Sequence, residues 1–178
     1  MNAVIEVPEV GSHNSKELSL EGIDFITDGD QYLTFRLCNE HYGVDILSVT
    51  EIRGWEVPTL IPNSPNYVKG VINLRGVIVP ILDLRIRFQI GQPDYTPTTV
   101  VIVLAVKNDR MNCTMGFVVD AVSDVLNAEA CDIKPAPNFG GLVEAHYIQG
   151  LVNVGKNVVT LLHVDQLLTL EEEGSAHE

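Results

Sequence analysis

Histidines, cysteines and carboxylates are the residues with which this chain could do chemistry, and they form no known catalytic or metal-binding pattern. The five histidines are scattered, and none has metal-ligand spacing with a cysteine or carboxylate. The motifs GxSxG, GxxxxGK[ST], GxGxxG and HExxH are absent from the sequence. Glu51 and Asp124 could be taken for an acid–base pair, but they hold equivalent places in an internal repeat. We therefore predict no catalytic residue, no metal site, no cofactor and no enzymatic activity.

The cysteines and the start of the chain indicate where the protein works. Cys38, Cys113 and Cys131 show no CxxC spacing, which favours free thiols in a reducing compartment. The first residues are acidic and lack the basic and apolar blocks of a signal peptide. No apolar run is long enough to span a membrane. We expect a cytoplasmic protein without direct membrane insertion.

The net charge of −13 belongs mostly to the two ends of the chain. Residues 1–30 carry a net −6 and residues 171–178 a net −4, whereas the segment between them carries only −3. We therefore predict acidic, poorly ordered tails at 1–30 and 171–178, flanking one folded region at 31–170.

A small SH3- or OB-like nucleic-acid-binding module is the alternative that a short β-rich chain suggests. Such a module needs a basic face with exposed aromatic residues. The chain is acidic, and aromatic residues make up only 6% of it. No nucleic-acid partner is therefore expected.

The chain contains the same pattern twice. Residues Tyr67–Leu84 align without gaps on Tyr147–Val164 at an offset of 80, so that Gly70 matches Gly150. Upstream, Gly43–Ile52 aligns on Gly116–Val125 at an offset of 73. Period-two alternation and β-branched runs within these blocks predict strands. We predict two similar β halves, at about 31–90 and 97–168, that pack on each other because each is small.

Arg75 stands out from this repeat. It lies at the tip of an apolar hairpin, and its counterpart in the second half is Gly155. The fold therefore does not require an arginine there, which favours a contact outside the hairpin. Three nearby cations, Lys69, Arg85 and Arg87, are expected to be solvated.

Three stretches of the sequence resemble the CheW family of bacterial chemotaxis coupling proteins. They are EHYGVDILSVTEIRG, PNYVKGVINLRGVIVPILDLRIRF and VVDAVSDVL, and the resemblance covers about 31–170. It implies a mainly β fold: two five-stranded SH3-like β-barrels packed on a shared apolar core, with a few short helices. It also implies a scaffold without catalytic activity. A fused regulator of this family would add a receiver domain, and the remaining length is too short for one.

The resemblance also implies partners in two-component signal transduction. Such a scaffold couples the cytoplasmic hairpin tip of methyl-accepting chemoreceptors to the CheW-like regulatory domain of the histidine kinase CheA, in membrane-associated arrays. By position, the residues that resemble receptor or kinase contacts, not divided between the two partners, are Ile46, Val49, Glu51, Ile52, Gly70, Arg75, Val77, Thr99 and Val100.

Overall fold

Ten strands and a few short helices form the described part of the chain. The structure is a computed structural model that describes residues 30–107, 112–129, 132–137 and 145–168. The strands are β1 Asp30–Leu37, β2 Glu40–Asp45, β3 Val49–Gly54, β4 Val68–Leu74, β5 Val77–Asp83, β6 Val100–Lys107, β7 Asn112–Val119, β8 Ala121–Ala128, β9 Ile148–Val154 and β10 Asn157–Leu162. The helices are α1 Leu84–Arg87 and α2 Val164–Leu168, with 3₁₀ turns at Ile46–Ser48 and Ala145–Tyr147.

The strands form two sheets of five, which confirms the predicted mainly β fold. Sheet I has the order β3-β6-β7-β5-β4, and sheet II has the order β8-β1-β2-β10-β9. Most neighbours are antiparallel, but β5 runs parallel to β7 and β10 runs parallel to β2. The predicted tails lie outside the described residues apart from Asp30.

The two sheets exchange strands between the repeated halves. The repeat maps β1–β5 onto β6–β10, yet sheet I combines β3, β4 and β5 with β6 and β7, and sheet II combines the others. The sheets therefore do not coincide with the ranges 31–90 and 97–168 predicted from the repeat. The reason is the parallel pairing. Strand β5 of the first half pairs with β7 of the second half, and β10 of the second half pairs with β2 of the first.

Apolar side chains of the described residues fill three cores. The largest combines residues of both sheets, among them Phe35, Tyr42, Ile102 and Phe117, and confirms the shared core. Each sheet also has a smaller core on its other face. A strand such as β6 is consequently buried on both faces, which explains why it reads as a continuous run of aliphatic residues rather than an alternating one.

A buried arginine connects the two halves, and the expectation that it is solvated is wrong. Arg85 is fully buried and donates to both carboxylate oxygens of Asp83, at 2.9 Å and 2.8 Å. Its Nη1 also donates to Asp120 Oδ1 at 2.6 Å and to the Asp94 carbonyl oxygen at 2.7 Å. Burial alone would lower the pKa of Arg85, but hydrogen bonds and charge from Asp83 and Asp120 outweigh it, so the pKa is raised.

Candidate partner-binding surface

Arg75 occupies a strained position at the tip of the β4–β5 hairpin. The two loop residues Arg75 and Gly76 have φ of 53° and 89°, as a two-residue type I′ turn requires. Asn73 supports the turn, because its Oδ1 accepts a hydrogen bond from the Gly76 amide at 2.7 Å. Gly155 begins the equivalent β9–β10 turn with a φ of 60°. A left-handed conformation costs a non-glycine residue roughly 1–2 kcal/mol, so the turn itself does not favour the arginine.

The Arg75 guanidinium contacts the opposite edge of sheet I. Its Nη2 lies 2.6 Å from Glu51 Oε1 on β3, and Arg53 Nη1 lies 3.5 Å from the other oxygen of Glu51. Because β3 and β4 are the two edge strands of sheet I, this ion pair brings the edges towards each other. The Arg75 side chain remains 73% exposed. An exposed pair of this kind contributes only about 0–1 kcal/mol to stability, so the guanidinium stays available to a partner.

Exposed aliphatic side chains lie on the same elements as the ion pair. Val77 and Ile78 follow the hairpin tip, Ile52 follows Glu51, and Leu47 lies in the turn before β3. Leu47 is 81% exposed and Ile78 is 62% exposed, values far above those of core aliphatic residues. Aliphatic side chains left in water beside a charged pair are typical of a protein-binding surface.

Most of the predicted contact residues lie along β3 or beside it. Ile46 is half-buried in the turn before β3, and Val49 packs against the central core. Val100 pairs with Gly54 at the far end of β3. The structure therefore brings Ile46, Val49, Glu51, Ile52, Arg75 and Val100 to one edge of sheet I.

Gly70 and Thr99 belong to the predicted set but are buried. Gly70 has a φ of 138°, and a Cβ there would stand 2.2 Å from the Thr59 carbonyl oxygen. The Thr99 hydroxyl accepts a hydrogen bond from the Thr96 amide at 2.8 Å and donates to the Asp94 carbonyl oxygen at 3.4 Å. Both residues thus shape the loops beside the surface.

An aromatic pair lies next to the surface, and sequence reasoning did not connect its two members. Trp55, the residue after β3, stacks on Tyr95 with the ring centroids 4.5 Å apart, and Lys69 Nζ lies 5.9 Å from the centroid of the Tyr95 ring. Tyr95 donates to Asp83 Oδ2 at 2.9 Å, and burial together with that carboxylate raises the pKa of Tyr95 to about 12. Trp55 and Tyr95 are 40 residues apart in the sequence, so only the folded chain shows the pair.

Within the described residues, the potential metal ligands form no cluster that could hold an ion. No three His, Cys, Asp or Glu side chains within 30–107, 112–129, 132–137 and 145–168 come together as a metal site would require. Cys38 is a free thiol, and Cys131 lies outside the described residues. In these same ranges no helix has the length and apolarity needed to cross a membrane.

Comparison with known proteins gives one consistent family. The family model for the CheW-like domain matches residues 31–172. Chemotaxis protein CheW of Klebsiella aerogenes is 47% identical over 146 residues, which cover 82% of this chain and 86% of that protein. Probable chemotaxis protein CheW of Rhizobium etli is 36% identical over 152 residues, which cover 85% of this chain and 96% of that protein. The crystal structure of scaffolding protein TtCheW from Thermoanaerobacter tengcongensis matches with a TM-score of 0.70 at 28% identity, covering 78% of this chain and 86% of that one.

Proposed function

This chain belongs to the CheW-like family, and we propose that it couples chemoreceptors to the histidine kinase CheA through the surface around Arg75. It is a non-catalytic scaffold of chemotaxis signalling. The nucleic-acid-binding alternative is not favoured. In the proposal the protein is cytoplasmic and joins membrane-associated arrays through its partners.

The exposed aliphatic residues beside the Arg75–Glu51 pair are the observation that carries this proposal. Val77, Ile78, Ile52 and Leu47 supply apolar area, and the arginine supplies a donor group that remains mostly in water. Arginine is enriched in the residues that contribute most binding energy at protein interfaces. A single small contact of this kind is weak, and many copies engaged at once in an array would strengthen it.

We further propose how the chain is divided. Residues 31–170 would form the coupling domain, with the acidic segments 1–30 and 171–178 as tails. The partners would be the hairpin tip of the receptor and the CheW-like regulatory domain of the kinase.

Co-sedimentation with receptor signalling fragments, with and without the kinase, tests the proposal. The test variant is Arg75→Ala, and the matched control is Lys156→Ala, which removes an exposed cation from the equivalent β9–β10 turn. We expect Arg75→Ala to lower capture of receptor or kinase several-fold and Lys156→Ala to leave it unchanged. Equal capture of both variants and the parent protein would contradict the assignment of this surface. The single tryptophan, Trp55, gives a second readout because it lies beside the surface.

A further inference from the structure

Sheet II contains a groove at the place where sheet I carries the Arg75–Glu51 pair. The groove has a volume of about 230 Å³ and lies between β8 and the tip of the β9–β10 hairpin. Its walls combine aliphatic and polar side chains, among them Thr34, His41, Asp124, Val125, Val154 and Asn157. Sites for drug-sized ligands are usually larger, at about 300–1,000 Å³, so this groove suits one long side chain better than a metabolite.

The internal repeat shows which group is missing from this groove. Asp124 is the repeat equivalent of Glu51, and Gly155 is the equivalent of Arg75. In sheet I the arginine reaches back to the carboxylate at 2.6 Å. In sheet II the glycine has no side chain to do so, and Asp124 lines the groove without an arginine partner from the hairpin.

Two local differences support this comparison. Leu74, next to Arg75, is 7% exposed, whereas its equivalent Val154 is 39% exposed. The Asp124 carboxylate accepts a hydrogen bond from the Val125 amide at 2.8 Å, and no cation in the described part of the chain forms an ion pair with it. Sheet II thus keeps the acidic half of the pair and leaves the adjoining aliphatic surface open.

We propose that this groove binds an arginine side chain presented by another protein at a hairpin tip or in an extended segment. A guanidinium can donate two parallel hydrogen bonds to a carboxylate, which suits Asp124 at the groove wall. The methylene stem of the arginine would cover Val125 and Val154, as long cationic side chains do on apolar surfaces. The folded region 31–170 is itself slightly acidic, at a net −3, which adds a weak long-range attraction for cationic segments. The groove is separate from the surface around Arg75, and the proposal does not depend on the function proposed for that surface.

The first hairpin of the chain supplies the probe. We would titrate a capped peptide with the sequence of residues 73–78, Asn-Leu-Arg-Gly-Val-Ile, into isotope-labelled protein and follow backbone amide shifts by NMR. The matched peptide replaces its arginine with glutamine. We expect saturating shifts at 123–126 and 154–157, and affinity for the arginine peptide about threefold to tenfold above that for the glutamine peptide.

Protein variants separate the groove from general charge effects. Asp124→Asn should remove the preference for the arginine peptide, whereas Asp165→Asn, which removes an exposed carboxylate on α2, should preserve it. Gly155→Arg should weaken peptide binding, because the new side chain would occupy the groove from within the chain. Equal affinity for the two peptides, or shifts confined to sheet I, would overturn the proposal. A dimer lost in both Arg75→Ala and Asp124→Asn would support the groove and place the arginine on a second copy.

Discussion

Ile81 of β5 lies against Gly116 of β7 so closely that a Cβ on the glycine would stand 2.6 Å from Ile81 Cδ1. The same contact occurs in sheet II, where a Cβ on Gly43 would stand 3.0 Å from Leu161 Cδ2. The two glycines are repeat equivalents, and so are the two aliphatic residues. Each contact joins strands of different halves, so the halves cannot separate without breaking both sheets.

Gly116→Ala should therefore destabilise the fold. The added methyl group would meet Ile81 and Val101 at less than 3.0 Å, and overpacking of this kind costs about 1–3 kcal/mol. Urea unfolding measures the change in the free energy of unfolding. Gly54→Ala is the control, since a Cβ there meets nothing within 4 Å. A loss equal to that of the control would show that β5 and β7 move apart at no cost.

The repeat in the sequence predicted which residues the fold needs twice but not how the strands pair. Matching glycines such as Gly43 and Gly116 were visible because their equivalence requires only alignment. Hydrophobic alternation indicates which face of a strand is buried and carries no information about which strand lies beside it. The exchange of strands between halves was therefore outside what patterning could predict.

The candidate surface could likewise be predicted only in part, because the sequence shows local patterns and not long-range contacts. A contact of Arg75 outside its own hairpin followed from Gly155 at the equivalent place, because that comparison is local, and the structure shows such a contact with Glu51. Burial of Arg85 did not, since it depends on Asp120, 35 residues further along the chain. The buried places of Gly70 and Thr99 likewise result from contacts with neighbouring loops.

Arg85→Met should be among the most damaging single substitutions in the described part of the chain. It would leave the fully buried Asp83 carboxylate without its cationic partner, and breaking a buried pair in this way costs about 3–5 kcal/mol. Urea unfolding again provides the measurement, with the exposed Lys156→Met as control. A cost below about 1 kcal/mol would mean that Asp83 is accommodated without Arg85.

Replacement of Gly70 should lower the stability of the fold, and any loss of partner binding should result from that lower stability. Gly70→Ala would place a methyl group against the Thr59 backbone at a φ that L-residues rarely adopt, so we expect a loss of about 2 kcal/mol or more. Gly150→Ala should behave similarly, because its Cβ would meet Ile133 Cγ2 at 2.3 Å. Thermal unfolding measured beside receptor capture separates the effects. Weakened capture by Gly70→Ala with an unchanged melting temperature would instead make Gly70 part of the contact.

Cys38 should react slowly with thiol reagents in the folded protein. Burial, followed by the charge of Asp120, raises the pKa of its thiol, so less of the reactive thiolate is present at a given pH. In a background with Cys113→Ser and Cys131→Ser, we expect slower labelling by a disulfide reagent at pH 8 than in the unfolded chain. The rate should climb as the pH rises. Equal rates for folded and unfolded protein would contradict this.

Arg75→Ala should leave the thermal transition nearly unchanged while weakening partner capture. The substitution removes an exposed ion pair worth about 0–1 kcal/mol and keeps a non-glycine residue at the same left-handed position. Arg75→Asn sharpens the test, because asparagine tolerates that conformation better than arginine and should preserve or slightly raise the melting temperature. Both variants lack the guanidinium, so both should bind receptor or kinase less well.

The decisive comparison is between stability and binding in these two variants. If Arg75 acts on a partner, capture falls equally in Arg75→Ala and Arg75→Asn although their melting temperatures differ. If Arg75 instead acts by holding β3 and β4 together through Glu51, Glu51→Gln should lower stability and binding as much as Arg75→Ala does. A drop of many degrees in Arg75→Ala with capture intact would assign the arginine to the fold. Differential scanning fluorimetry and co-sedimentation on the same preparations distinguish these results.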